Sequence, residues 1–396
     1  MKIALSTSVI DRGKSGVARY VIEITKAILH RLGTDQFILF VLEDDLPLFA
    51  FAEKKATIVP VKEIWRRPVL NIVWHQMVLP RLLSRHRVDL LHVPSYRRMV
   101  WHAPCRKVAT IHDLAPFRLS GKYDFLRMIY GRYAARALAR RQDAILTVSN
   151  YTASDIEVFF GIPKDRIHVA FNGLDHERFY PRTAHGSQVG RNLYFLYVSR
   201  LEHPAKNHVR LIKSFNHFKD TTGSKWKLVL AGGDWHGSEI IKTSARNSPH
   251  ASSIELPGFV PDQELPELYR NAGAMVYPSL FEGFGLPPVE AMACGCPVIS
   301  SDRGSLPEIT GKAALLVNPN SARELESAMT RIATEASLRN DLTSLGVERS
   351  RCFDWNTAAE VTLKVFRANL KPPIGGIEEN LSQSHAHTSK PPCLPL

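Results

Sequence analysis

The chain has 396 residues, too many for one ordinary core, and about 100–200 residues per domain predicts two or three domains. With 44% hydrophobic and 22% charged residues it reads as globular rather than disordered, and no run of about 18 apolar residues predicts a transmembrane helix. The formal charge of +13 is concentrated: Lys62 through Arg141 carries 17 Lys/Arg and 4 Asp/Glu, and the remaining 34 basic and 34 acidic residues balance. Such a stretch suits a polyanion, whether anionic lipid, an acidic acceptor or nucleic acid, or else serves as a solvated face. The start, MKIALSTSVIDRG, lacks the longer apolar core of a signal peptide and fits a first strand. Five scattered cysteines (Cys105, Cys294, Cys296, Cys352, Cys393) lack zinc-ligand spacing and point to a reducing cytoplasm. Cys294 and Cys296 read as small buried fillers.

Apolar β-like runs alternate with helical stretches along the chain, the sign of parallel α/β sheets. In the first half strands are predicted at Lys2–Ser6, Phe37–Val41, Asp89–Val93, Val108–His112, Ala144–Ser149 and Ile167–Phe171. A helix is predicted at Val17–Leu32, with Val21, Ile24, Ile28 and Leu32 on one face. Thr152 opens another, which Gly161 stops. Pro181–Gly190 changes composition and reads as a linker. Strands then restart at Tyr194–Val198, Lys227–Ala231, Ser253–Leu256, Ala274–Tyr277, Pro297–Ser300 and Leu315–Val317. Helices are predicted at Val209–Lys219, Asp262–Arg270 and Thr357–Leu370, and the Pro-, Ser- and His-rich tail as disordered. The expected organisation is therefore residues 1–182, a linker at 183–190, a second domain at 191–355, a helix at 356–370 packing back towards the first domain, and a tail at 371–396. Both domains read as doubly wound sheets, whose ligands sit at the carboxyl ends of strands, so facing domains create a cleft. A GxGxxG fingerprint is absent, which counts against a nicotinamide or flavin enzyme.

The most informative segment is Phe281–Gly295, FEGFGLPPVEAMACG. Gly283 and Gly285 precede a helix begun by Pro287 and Pro288 and ended by Gly295. Free N–H groups and the positive end of a helix dipole make an anion seat there, suited to a diphosphate. Glu282 and Glu290 can face opposite ends of one extended ligand, Glu282 at a sugar and Glu290 at two ribose hydroxyls. After the strand Tyr194–Val198, Arg200 and Lys206 flank a loop that can fold both cations onto one diphosphate. Gly232 and Gly233 allow close approach to a nucleotide or are simply turn residues. His112 ends a strand, where an active-site side chain should sit, although a lone histidine is more often structural. Asp113 reads as a helix cap or a buried hydrogen-bonding group, and its role stays open.

These motifs resemble glycosyltransferase family 4, over residues 1 to about 370. The E-x7-E element is present as Glu282…Glu290 inside an almost complete EGFGLP-E-AMA-G-PVI pattern. Ser199–Asn207 looks like the family's R-x-x-x-x-K-N element, and Thr110–Leu114 contains its HD element. The resemblance implies a GT-B fold: α/β, two Rossmann-like doubly wound domains facing an inter-domain cleft. It implies that the second domain binds a nucleoside-diphosphate sugar through Gly283, Phe284, Gly285, Leu286 and Glu290, and that transfer retains anomeric configuration. It implies that His112 contacts the transferred sugar, its backbone carbonyl meeting a 6-hydroxyl, without acting as nucleophile. Gly13 and Gly16 resemble the family's glycine loop near the donor phosphates. Ser149 and Asn172 match further family positions, or else cap a helix and make a turn.

The resulting expectation is a retaining hexosyltransferase that uses GDP-mannose and a glycan or lipid-linked acceptor, as in polysaccharide or O-antigen assembly. Nucleic acid is not expected as a partner. A DxD-like metal site does not stand out, so metal-independent turnover without a cofactor is expected. The protein is expected in the cytoplasm, docked on the inner membrane face through Lys62–Arg141. A nucleotide-sugar epimerase of the same fold and a non-catalytic polyanion binder are the rival readings.

Overall fold

The computed structural model describes residues 1–118, 133–182 and 192–370. Two all-parallel sheets organise it. The first has the order β3-β2-β1-β4-β5-β6-β7: β1 is Lys2–Ser6, β2 Gln36–Leu42, β3 Thr57–Val61, β4 Leu90–Val93, β5 Arg106–Ile111, β6 Ala144–Thr147 and β7 Ile167–Val169. The second has the order β10-β9-β8-β11-β12-β13: β8 is Asn192–Val198, β9 Lys227–Ala231, β10 Ile254–Gly258, β11 Ala272–Tyr277, β12 Val298–Ser301 and β13 Ala314–Val317. Both orders reverse direction between their central strands, β1 beside β4 and β8 beside β11. Loops leaving those strand ends define a crevice in each sheet.

The strands are continuous apolar runs because both faces are covered. In β2, Phe37, Leu39 and Val41 enter one core, while Ile38, Phe40 and Leu42 enter the core on the other face. Successive side chains of a strand point to opposite faces, so one run of six buried residues supplies two layers. Strand β3 is an addition to the sequence reading. It lies at the sheet edge and contains Pro60, which lacks a ladder donor and is tolerated there.

Several helix limits move by up to three residues, as at Gly16–Leu29, His208–Thr222 and Leu265–Asn271. The helix expected to open at Thr152 spans Asn150–Phe160, because the Ser149 side chain accepts a hydrogen bond from the Thr152 backbone N–H. Gly161 ends it in the left-handed region, as expected, at φ 63°.

After β13 the chain returns. Helix Trp355–Leu370 packs on helix Gly16–Leu29 of the first domain, Phe366 meets the His92 ring at 5.2 Å, and Trp355 meets Tyr20 at 6.1 Å. Gly173 permits this crossing: a Cβ there would stand 2.1 Å from the Trp355 nitrogen. The linker at 183–190 and the tail at 371–396 lie outside the described residues. Among the described residues no helix is long and apolar enough to cross a membrane. Cys294 and Cys296 are fully buried core residues.

Candidate active site

The loops that leave β8 and β11 bring one expected cation, Lys206, onto one expected carboxylate, Glu282. Lys206 Nζ lies 2.5 Å from Glu282 Oε1, across 76 residues of sequence. The Tyr277 hydroxyl donates to the same oxygen at 2.9 Å. Burial by itself raises the Glu282 carboxyl, but the Lys206 ammonium and its hydrogen bonds hold it below the usual carboxylate range. Glu282 is therefore an anion whose charge is matched by one cation. The backbone of this loop is fixed independently. Asn207 Nδ2 donates to the carbonyls of Pro278 (3.1 Å) and Pro319 (2.7 Å), and Ser305 donates to those of Glu282 and Phe284, each at 3.0 Å.

Arg200 is placed differently. Its guanidinium stacks on Trp235 at 4.4 Å and approaches Glu202 at 3.5 Å. It remains partly exposed on the same strand-end surface as Lys206. Trp235 belongs to the loop after β9, and sequence reasoning gave it no role. Its neighbour Gly232 has a steric reason: a Cβ would stand 1.8 Å from the Ser199 carbonyl oxygen. Gly232 thus joins the β8 and β9 loops by backbone contact, whereas Gly233 faces more open space.

Helix Leu286–Ala293 begins with Gly285 at φ 100°, a conformation that favours glycine, and has Pro287 and Pro288 in its first turn. Its first N–H groups have no side-chain cap. Gly283 has a reason the sequence did not reveal. A Cβ there would stand 1.9 Å from the His112 carbonyl oxygen, so this glycine allows the two domains to touch backbone to backbone. Ser149, buried at the other side, donates to the Gly283 carbonyl at 2.7 Å. The Phe284 ring is buried near Phe353 and Phe171, at 5.5 and 6.5 Å. Leu286 is half-buried against the core.

On the facing domain, His112 follows β5. Its Nε2–H donates to the Pro94 carbonyl at 3.2 Å, and Tyr20 packs edge-on at 4.6 Å. Desolvation pushes His112 down to about 4, so the ring is neutral at neutral pH. Asp113 accepts from the Ala115 N–H at 2.9 Å, the capping alternative. Gly13 sits at φ 83° in the loop after β1, and Gly16 opens the following helix with open space around it. Asn172 is buried with Oδ1 unpartnered among the described residues.

Glu290 is 2% exposed, and both its oxygens are engaged: Oε2 by the Tyr269 hydroxyl at 2.9 Å and Oε1 by Arg19 of the opposite domain. Arg19 and Tyr269 were missed by sequence reasoning. Neither lies within a spacing motif, and Arg19 is 271 residues away from its partner. Two further contacts join the domains through Glu308. Glu308 accepts from the Asn150 N–H (2.9 Å) and the Tyr151 N–H (3.0 Å), placing an anion at a helix N-terminus.

Two doubly wound parallel domains with their strand ends facing one cleft define a GT-B fold. Residues 14–178 match the family model "Glycosyltransferase Family 4" and residues 184–348 match "Glycosyl transferases group 1". The chain belongs to the glycosyltransferases, joining an amino-terminal family 4 domain to a carboxy-terminal group 1 domain. It is 28% identical over 386 residues to O-antigen chain mannosyltransferase B of Escherichia coli, covering 93% of this chain and 100% of that protein. The sucrose-phosphate synthase structure from Thermosynechococcus elongatus superposes with a TM-score of 0.75 at 19% identity, covering 93% of this chain and 98% of that one. Anabaena HepE, solved in complex with UDP and glucose, gives 0.71 at 18% identity, covering 93% and 100%. These two likenesses show the fold.

Proposed function

We propose that this glycosyltransferase moves a mannosyl group from GDP-mannose, with retention, to a hydroxyl of a glycan or lipid-linked acceptor in O-antigen or polysaccharide assembly. The observation that carries the reading is the Lys206–Glu282 pair, set at the strand ends of the carboxy-terminal domain within reach of the other domain's His112 backbone. The full-length likeness to an O-antigen mannosyltransferase supports the sugar and the pathway class. Family membership favours transfer over the epimerase and the polyanion binder.

In the proposed reaction the bond between the anomeric carbon and the diphosphate oxygen breaks, and the acceptor oxygen attacks from the same face. The acceptor proton passes to the departing phosphate oxygen, so atoms and charge balance without a carboxylate pair of the hydrolase kind. Lys206 and Arg200 neutralise the diphosphate as its charge develops, where fixed cations act most strongly. Glu282 keeps the Lys206 ammonium in place and offers its other oxygen to the sugar. Glu290 takes the ribose hydroxyls. The cations supply the charge a divalent ion would otherwise bring, so turnover is proposed to persist in EDTA. A thermal-shift panel of nucleoside diphosphates and their sugars tests the donor. GDP and GDP-mannose should raise the melting temperature most, and preferential stabilisation by another base would overturn the choice of donor.

The basic stretch has a matching surface. Along the helical run 68–85, Val69, Val73 and Met77 are exposed at successive four-residue steps, and Arg81 and Arg85 continue the series. An apolar stripe leading into arginines fits an anionic lipid surface, with about 1 kcal/mol per cation close to the headgroups. Arg127 and Arg132, within Lys62–Arg141, lie outside the described residues. Flotation with phosphatidylglycerol vesicles should recover the protein at low salt and release it at high salt. Equal recovery on neutral and anionic vesicles would contradict this docking.

A further inference from the structure

Arg19 stands in the first turn of helix Gly16–Leu29, in the amino-terminal domain, yet the other domain binds its guanidinium. One nitrogen donates to Glu290 Oε1, and another lies 2.5 Å from Asp262 Oδ2. Arg178 adds a second cation near Asp262, at 3.7 Å. The side chain of Glu290 is 3% exposed and that of Asp262 is 56% exposed, so Arg19 spans from a buried anion to one at the rim. Asp262 precedes helix Leu265–Asn271, whose Tyr269 holds the other oxygen of Glu290. A buried carboxylate needs its charge matched, and Arg19 supplies that cation from across the cleft. Its planar fork lets one residue hold both carboxylates at once.

The proposed ribose contact falls on this same carboxylate. Two adjacent hydroxyls donate best to both oxygens of a carboxylate, and Oε1 is the oxygen that Arg19 holds. We propose that Arg19 and the donor's ribose compete for Glu290, so that Arg19 tunes ribose affinity and couples nucleotide entry to the contact between the two domains. The inference rests on the ribose reading of Glu290. When the ribose takes Oε1, Arg19 retains Asp262 at the rim, so its own charge stays paired. Arg19 is thus a positioning residue that acts through Glu290. A nucleotide without ribose hydroxyls has nothing to gain by displacing it.

Calorimetric titration of the wild type, Arg19→Gln and Arg19→Lys with GDP and UDP, each beside its 2′,3′-dideoxy counterpart, tests this. The wild type should bind the ribonucleotide more tightly than the dideoxy form. Arg19→Gln should widen that ratio by at least about threefold, the scale of a partly exposed ion pair. Arg19→Lys keeps one charge and should bring the ratio back towards that of the wild type. A ratio unchanged or narrowed in Arg19→Gln, with discrimination still present in the wild type, overturns the competition. Equal binding of both forms by the wild type removes the ribose reading of Glu290 and the inference with it. Binding of neither nucleotide removes the donor reading itself. Thus a failure of the competition and a failure of the underlying site assignment give different results.

Discussion

Lys206→Ala is expected to lower kcat by roughly 10²–10³-fold, the cost of removing one preorganised charge donor from a transition state. The protein should still fold. The main chain around Lys206 is held by groups that do not use its side chain: Tyr197 donates to the Lys206 carbonyl at 2.7 Å, and Leu280 N–H donates to the Ala205 carbonyl at 3.0 Å. Two effects act together in the variant. The departing diphosphate loses a cation, and Glu282 keeps a largely buried negative charge with the Tyr277 hydroxyl but without its ammonium. An uncompensated carboxylate beside a developing phosphate charge repels it. Lys206→Ala combined with Glu282→Gln should therefore recover some nucleotide affinity but not turnover. Near-normal turnover in a folded Lys206→Ala protein would remove Lys206 from the reaction.

Acid should unfold the protein well before its carboxylates protonate, starting in the amino-terminal domain. His75, His92 and His208 are 0%, 0% and 1% exposed, and desolvation pushes each from 6.5 down to about 3. Their bonding explains why a second proton has no place. His92 Nε2 meets the Thr110 hydroxyl at 2.8 Å, and its Nδ1 has no partner among the described residues. His75 uses Nδ1–H on the Asn71 carbonyl at 2.7 Å, and its Nε2 accepts from Ser6 at 2.9 Å. Below pH 6.5 the unfolded chain takes up protons that the folded chain refuses, so stability falls with falling pH until the folded histidines protonate near 3. Each costs about 1.4 kcal/mol per pH unit in that window. His75 and His92 act on the first domain and His208 on the second, and half-buried His112, lowered to about 4, adds a smaller share to the first. Melting scans at pH 7, 6 and 5 should show a steep loss led by the first domain. A melting temperature flat across that range would contradict the neutral, buried state of these rings.

Much of this site was legible because its parts lie in local patterns. A glycine loop before a proline-started helix, with Glu282 and Glu290 eight residues apart, is readable along the chain, and the structure gives that helix Gly285 at φ 100°. Parallel strands were legible because both-face burial writes them as unbroken apolar runs. Strand β3 escaped because TIVPV contains a proline, which only its edge position excuses. Contacts between distant segments were not legible. Nothing near Arg19 signals Glu290, and nothing near Gly283 signals the His112 carbonyl. Two of the glycines read as room for a ligand, Gly232 and Gly283, are also demanded by neighbouring backbone, at 1.8 and 1.9 Å from a would-be Cβ. Local sequence records that a side chain must be absent; the element that crowds it belongs to the tertiary fold. Trp235 under Arg200 is a similar case, since a single aromatic in a loop carries no pattern until the cation above it is seen.

The anomeric configuration of the product tests the proposed transfer with retention. With GDP-α-mannose and a mannose-terminated acceptor, proton NMR of the first-formed product should show a new α-mannoside. A β-mannoside would contradict the same-face reaction built on Lys206, Arg200 and Glu282.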